Sequence, residues 1–325
     1  MQLKRRTLIG ALAGFSVWPA LATSLATAQA KIPTIGMLGA GSEASHGPWI
    51  AALVARLKEL GWVDGSNVRI EYRWAEGQNE RVAAIAAEFA QDKVDVMVTS
   101  GPAVFVAVKV APGTPLVAAA VNDPVKAGLA QSLAHPGGAV TGSFVQAEDL
   151  APKCIQLLRE IAPSLRRLAV MFYAAFTAEM ESAAAYATTL GLDVTALPLK
   201  QSGDIAPAFE SIKGRADGLY LSSTPFTTVH RAEIFGLALD ARLPSVTGLK
   251  EDVASGALIS YGTDFDDGFR RAGDTVDRIL RGEKPGDLPF QQSTKFDLAV
   301  NLKTAKALGL DIPLTLLAAA AVLIE

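Results

Sequence analysis

The sequence is poor in the residues that build metal and redox centres. Of its 325 residues one is a cysteine, Cys154, and three are histidines, His46, His135 and His230. A single thiol makes no intrachain disulfide and no zinc or iron–sulfur ligand set. Three scattered histidines do not suggest a multi-histidine metal site. Positive charge is not in excess either: 30 lysines and arginines stand against 33 acids, a formal charge of −3. Chains that neutralise a phosphate backbone carry a basic excess, so nucleic acid is not an expected partner. No Gly-x-Ser-x-Gly elbow is present, so the commonest signature of a serine hydrolase is missing. Aromatic residues make up 7% and charged residues 19%, but 50% are hydrophobic. That is enough for a substantial core and too much for a disordered chain. The length suits about two domains.

The first thirty residues read as an address. They carry Lys4, Arg5 and Arg6 and no acid; an apolar run over 8–25 follows, broken by Gly10, Gly14 and Pro19. Ala28-Gln29-Ala30 then supplies a small-residue cleavage pattern. Basic start, short apolar stretch and cleavage site together make a secretory signal, whereas a spanning helix wants about 20 strongly apolar residues. The pair Arg5-Arg6 hints at twin-arginine export, although Lys4 and Leu8 depart from the usual flanking residues. The expectation is cleavage near Ala30 and a mature chain free in the periplasm. Losing three cations leaves 27 against 33, a charge of −6.

Beyond residue 30, short apolar runs alternate with segments of helical period. Strands are predicted over 33–39, 68–74, 95–99, 115–121 and 140–145. Between the first four lie helices over 48–60, with Ile50, Leu53, Val54 and Leu57 on one face, over 79–91, and from about 103 to 110. The pattern then restarts. Strands are predicted over 167–173, 194–199, 218–222, 245–248 and 257–261, and helices over 150–161, 178–190, 205–212, 228–239 and 266–280. Near-continuous apolar strands are buried on both faces, and strands separated by helices run parallel. The fold class is therefore α/β: two doubly wound parallel-sheet lobes joined by a multi-crossing hinge. The first lobe spans 31–145 and regains about 263–285; the second spans 146–262 and regains about 286–325.

In such sheets a ligand lies beyond the carboxyl ends of the strands. Those loops carry Gly39-Ala40-Gly41-Ser42, Thr99-Ser100-Gly101, Asn122-Asp123-Pro124, Phe172-Tyr173, Ser222-Ser223-Thr224 and Ser260-Tyr261-Gly262-Thr263-Asp264. Amides at a helix start favour an anion such as a carboxylate, Asp123 and Asp264 suit an ammonium, and Tyr173 and Tyr261 suit a planar group. Each residue taken alone is equally at home as a cap or turn; the set, arrayed at one end of two sheets, favours a ligand cleft. Gly39-Ala40-Gly41-Ser42-Glu43-Ala44 also fits the dinucleotide turn. Against that use, Pro48 delays helix entry, and the acid of the second strand, Glu71, lies inside the strand. His46 is placed to reach a cleft, His135 sits in a turn and His230 at a helix start. Cys154 reads as buried and inert.

Several segments resemble one family in order along the chain. Val94-Asp95-Val96-Met97-Val98-Thr99-Ser100-Gly101-Pro102-Ala103, Asn122-Asp123-Pro124-Val125-Lys126-Ala127-Gly128-Leu129 and Pro136-Gly137-Gly138-Ala139-Val140-Thr141-Gly142 are similar to segments of the tryptophan/tyrosine-type ABC transporter substrate-binding family. So are Ser260-Tyr261-Gly262, Thr294-Lys295-Phe296-Asp297-Leu298 and Asn301-Leu302-Lys303-Thr304-Ala305. The resemblance covers nearly the whole chain after the signal. Ala139 stands where the family usually has Asn, and Asn122 where Gly is common.

The resemblance implies a type 1 periplasmic binding protein fold. It also implies a non-enzymatic function: closing two lobes on a small carboxylate-bearing solute, an amino acid or aromatic acid, and delivering it to an inner-membrane ABC permease. Carried over by position, the ligand-facing candidates are Ser42, Ser100, Asp123, Tyr173, Ser223, Thr224, Tyr261 and Asp264. No cofactor and no metal are implied, and a monomer is expected. An exported nicotinamide-dependent oxidoreductase and a ligand sensor for a membrane receptor are the alternatives the sequence leaves open.

Overall fold

Five strands of the first half pair in parallel: β1 (Thr34–Gly39), β2 (Arg69–Trp74), β3 (Val96–Thr99), β4 (Leu116–Asn122) and β5 (Val140–Val145). Between them run α1 (Glu43–Glu59), α2 (Asn79–Gln91) and α3 (Ala103–Val110). A second set begins with α4 (Ala147–Ile161) and β6 (Arg167–Tyr173). It continues through α5 (Ala178–Thr189), β7 (Asp193–Leu199), α6 (Ile205–Ser211), β8 (Gly218–Leu221), α7 (Pro225–Val229), α8 (Arg231–Asp240), β9 (Ser245–Thr247), α9 (Lys250–Ala254) and β10 (Ile259–Thr263). The last stretch holds α10 (Phe265–Leu280), β11 (Gln291–Gln292), β12 (Phe296–Asn301), α11 (Leu302–Leu308), α12 (Leu314–Ala319) and β13 (Val322–Ile324). This computed structural model describes residues 31–145 and 147–325, and only the backbone of 147–149. The expected signal over 1–30 lies outside the described residues.

Two sheets result. One has the order β11-β5-β4-β3-β1-β2 and is parallel throughout; the other has the order β13-β12-β10-β9-β8-β6-β7, with β10 and β12 antiparallel. Both lie within one compact unit, Ile32–Glu325. Strands β3 and β8 are buried at every position, as parallel strands covered by helices on both faces must be. On the first sheet, Ile35, Met37 and Val98 pack under α1 (Trp49, Ile50, Leu53, Leu57) and α10 (Phe269, Ala272, Val276). Leu53 is wholly buried, so truncation to alanine there would cost about 2–5 kcal/mol. On the second sheet, Ile155 and Leu158 of α4 cover Leu168, Val170 and Tyr220, while Phe209 and Phe235 fill the opposite face.

Three differences from the sequence expectations have physical causes. Helix α1 starts at Glu43, five residues before the expected start at Pro48. Ser42 caps it: its hydroxyl accepts from the Ser45 amide while the Ser45 hydroxyl accepts from the Ser42 amide. That reciprocal pair fixes the first turn strongly enough to carry a proline one turn later. The chain also leaves the first sheet later than the expected residue 286, because Gln291 and Gln292 of β11 still pair with Ser143 and Phe144 of β5. Of the strands after Leu280, β11 and β13 are too short to stand out in the sequence, with two and three residues.

The chain therefore passes between the sheets three times: after β5, between β10 and α10, and between β11 and β12. Ion pairs gather at the last two passages. The Lys250 ammonium lies 3.2 Å from Asp264, 3.1 Å from Asp266 and 3.0 Å from Asp297. Burial opposes its charge, yet the three carboxylates hold it above the usual lysine range. Asp267 pairs with both Arg271 and Lys295.

Candidate functional site

A cavity of about 490 Å³ lies where the carboxyl ends of both sheets meet, a size within the usual range for small-molecule sites. The first sheet contributes Gly101 and Pro102 after β3, Asn122 at the end of β4 and Asp123 just past it, and Val145 at the end of β5. The second contributes residues 175–179 after β6, Ser222, Ser223 and Thr224 after β8, and Gly248 and Leu249 after β9. Thr263, the last residue of β10, and Phe265 close it from the passage between sheets. Phe105 and Phe176 add aromatic wall.

Its most distinctive polar group is Glu179, in the first turn of α5. The Tyr220 hydroxyl donates to one carboxylate oxygen at 2.7 Å and the Ser222 hydroxyl to the other at 2.9 Å. The Ser223 amide donates across both at 3.2–3.3 Å. Burial raises the Glu179 carboxyl above the usual range, and these hydrogen bonds pull against it. Behind the wall the polar chain continues. The Ser223 and Thr247 hydroxyls lie 3.3 Å apart, Thr247 donates to Asp252 at 2.7 Å, and Arg231 reaches Asp252 at 3.4 Å. Burial pushes Asp252 up to about 7, against the pull of Arg231 and the Thr247 hydroxyl. Cys154 lines the cavity with its thiol donating to the Tyr261 carbonyl at 3.1 Å. Burial and the neighbouring Glu179 push that thiol up to about 12, so it is a packed thiol and not a nucleophile.

Elements of the two sheets touch beside the cavity. The Trp49 indole N–H on α1 donates to Glu251 on α9 at 2.8 Å. Leu249, just before α9, packs into the core beneath α1 and α10. Gly77, after β2, takes φ +73°, and a Cβ there would lie 2.9 Å from the Phe226 Cα on α7. His46 sits within this seam, with its ring edge on Trp49 at 4.9 Å and its Nδ1 2.9 Å from the Ser45 hydroxyl. Burial and Arg231 lower its pKa to about 3. It is a neutral packing residue, and the expected reach into the cleft is not observed. His135 lies in an exposed turn, its amide bonded to Ser132, and His230 packs on Phe226 between α7 and α8.

Of the eight residues singled out in the sequence, Asp123, Ser223 and Thr224 line the cavity. The other five are not on its wall. Ser42 caps α1. Ser100 is buried beside Gly101 at the end of β3. Tyr173 stacks on Phe226 at 4.8 Å and Tyr261 on Phe296 at 6.1 Å. Asp264 caps α10, accepting from the Asp267 amide, and pairs with Lys250. Asp123 itself adopts φ +25° and accepts the Lys126 amide at 3.0 Å. Glu179, Phe105, Phe176 and Phe265 were not anticipated, and Thr263 stood in a strand-end segment without being singled out. The signal for Glu179 was its place just past a strand end, where a first-turn acid ordinarily complements the helix dipole.

The glycine turn after β1 has a packing explanation. A Cβ on Gly39 would meet the Trp74 ring at 2.1 Å, and one on Gly41 would meet His46 at 2.5 Å. These two glycines let side chains close on the backbone, and neither borders the cavity. The nucleotide-binding alternative loses the feature that suggested it.

Two parallel-sheet lobes, crossed three times and walling a cavity at their strand ends, define the type 1 periplasmic binding protein class. Residues 50–324 match the family described as ABC transporter substrate binding protein, and the chain belongs to that family. A tyrosine-binding protein of Clostridioides difficile is 26% identical over 261 residues, 79% of this chain and 75% of that protein. Among solved structures, an ABC domain from Streptococcus pneumonia in complex with L-Trp superposes with a TM-score of 0.83. It is 24% identical and covers 90% of this chain and 99% of its own. A conserved domain protein from Vibrio cholerae gives 0.82 at 26% identity, covering 90% and 100%. Among the described residues, no helix is long and apolar enough to cross a membrane.

Proposed function

We propose that this chain is the periplasmic solute-binding component of an ABC importer, and that its two lobes close on a small carboxylate-bearing solute, an amino acid or an aromatic acid. The observation that carries the reading is the cavity, walled by the strand ends of both sheets and flanked by contacts that join them. A ligand held from both sides favours the closed arrangement by its differential affinity for it, and hinge closure is the mode of motion this architecture suits. The tyrosine- and L-Trp-binding relatives support an aromatic amino acid, as do Phe105, Phe176 and Phe265 in the wall.

In this reading Asp123, Ser223 and Thr224 face the ligand. Ser42, Ser100, Tyr173, Tyr261 and Asp264 act one step away, by capping and packing the loops that carry the wall. The first thirty residues direct export, by the Sec or the twin-arginine route, with cleavage near Ala30. The partner is an inner-membrane permease, and the binding unit is a monomer. A thermal-shift screen of amino acids and aromatic acids tests this directly. A clear rise in melting temperature with aromatic amino acids is expected; a flat response across the panel contradicts the reading.

A further inference from the structure

Glu179 is a partly buried carboxylate that no lysine or arginine pairs with among the described residues. Its partners among the described residues are the Tyr220 and Ser222 hydroxyls and the Ser223 amide, all neutral donors. An ionised carboxylate accepts and does not donate, and these donors meet both of its oxygens. Burying it this way is costly unless a positive group comes to it. Its field is felt around it: Glu179 raises the Cys154 thiol, the Tyr220 hydroxyl and the Asp252 carboxyl. Residue 179 lines the cavity and keeps part of its surface exposed there.

A second group at the same cavity is also unfulfilled. Thr263 is 8% exposed, and its hydroxyl has no hydrogen-bond partner among the described residues. It ends β10 at the passage between the sheets and lines the cavity. Buried hydroxyls ordinarily find a partner in the protein or in what the protein binds.

We propose that Glu179 is the anchor for an ammonium group of the ligand and that the Thr263 hydroxyl is a second polar contact to it, so the site selects amine-bearing solutes over deaminated acids. This rests on the solute-binding reading above and sharpens it. The ammonium goes to Glu179, and Asp123, which spends an oxygen on the Lys126 amide, shapes the loop. An amine arriving between Glu179 and the aromatic wall supplies the missing countercharge at the moment the lobes close.

Titration calorimetry of the purified protein with three matched series tests this: L-tyrosine and L-tryptophan, their decarboxylated amines tyramine and tryptamine, and the deaminated 3-(4-hydroxyphenyl)propionate and indole-3-propionate. The wild-type protein is expected to bind the amino acids at least about 10-fold tighter than the deaminated acids. Glu179→Gln is expected to weaken the amino acids and amines by at least about 30-fold, as loss of one partner of a buried charge pair does, and to erase their advantage. Thr263→Val keeps the shape and removes the orphaned hydroxyl, so the ligand-free melting temperature should hold or rise while affinity falls about 10-fold. Equal binding of deaminated acids by the wild-type protein, or full affinity in a folded Glu179→Gln, overturns the anchor and leaves the solute-binding reading standing. So does loss of the amine preference in Asp123→Asn alone. Failure of the wild-type protein to bind any of the six overturns both.

Discussion

Replacing Trp49 by phenylalanine should weaken ligand binding from outside the ligand site. The Trp49 ring is 2% exposed and stacks on Phe265 at 4.8 Å and Phe269 at 6.1 Å. A phenylalanine retains most of that stack. What it loses is the indole N–H, which donates at 2.8 Å to Glu251 on the other side of the seam. A hydrogen bond to a charged acceptor contributes about 1.5–3 kcal/mol. Glu251 is only half-buried and would regain water, so the net loss should fall near the lower end, about 1–2 kcal/mol. If the lobes close as proposed, that bond forms only when the two sheets come together, and its loss falls on the closed arrangement. Apparent affinity scales with the population of the competent state. Trp49→Phe is therefore expected to weaken the best ligand about 5- to 30-fold in titration calorimetry, with little change in ligand-free melting temperature. Glu251→Gln keeps an acceptor and should lose less. The double mutant should show a coupling energy of about 1 kcal/mol or more. Unchanged affinity in Trp49→Phe, together with additive effects in the double mutant, would refute the claim that this contact supports closure.

Other expectations follow from the seam and the polar chain behind the wall. Gly77→Ala places a Cβ against the Phe226 backbone at a left-handed φ, so it should lower ligand affinity by an order of magnitude; wild-type binding would mean the loop stays apart from α7 in the bound form. Asp252 has a folded pKa of about 7, above its unfolded value. The stability it contributes is present below about pH 4 and is lost as pH rises through 7. The stability of the wild-type protein to thermal unfolding should therefore fall over that window by on the order of a few kcal/mol relative to Asp252→Asn, and parallel pH profiles of the two would contradict the assignment. Cys154 should resist iodoacetamide in the folded protein and react on unfolding, as judged by intact mass; rapid labelling of the native protein would show that the thiol is not packed as described.

The sheets were legible because parallel strands covered on both faces read as plain apolar runs. Val96–Thr99 and Arg167–Tyr173 stand out without any tertiary information. The end of the sheet where a ligand belongs was legible too, since topology alone places it. The side chains that turn into the cavity were less so. Ser42 and Asp264 are the residue types that both cap helices and bind ligands, and in the structure both cap helices. Glu179 was overlooked for the converse reason: a carboxylate in a first helical turn needs no further explanation until its depth is known. Phe105 and Phe176 carry no mark that separates wall from core. His46 looked available because it follows a strand end, but the glycine at 41 lets its ring fold back onto the chain. Pro48 misled the placement of α1 because the capping pair at Ser42 and Ser45 outweighs one missing amide.

Native mass spectrometry of the purified protein, titrated with L-tyrosine and L-tryptophan, tests the central claim most directly. A one-to-one complex that survives desalting, and that weakens on Glu179→Gln, is the predicted result. A protein that carries no small molecule and takes up neither amino acid at millimolar concentration would contradict the account.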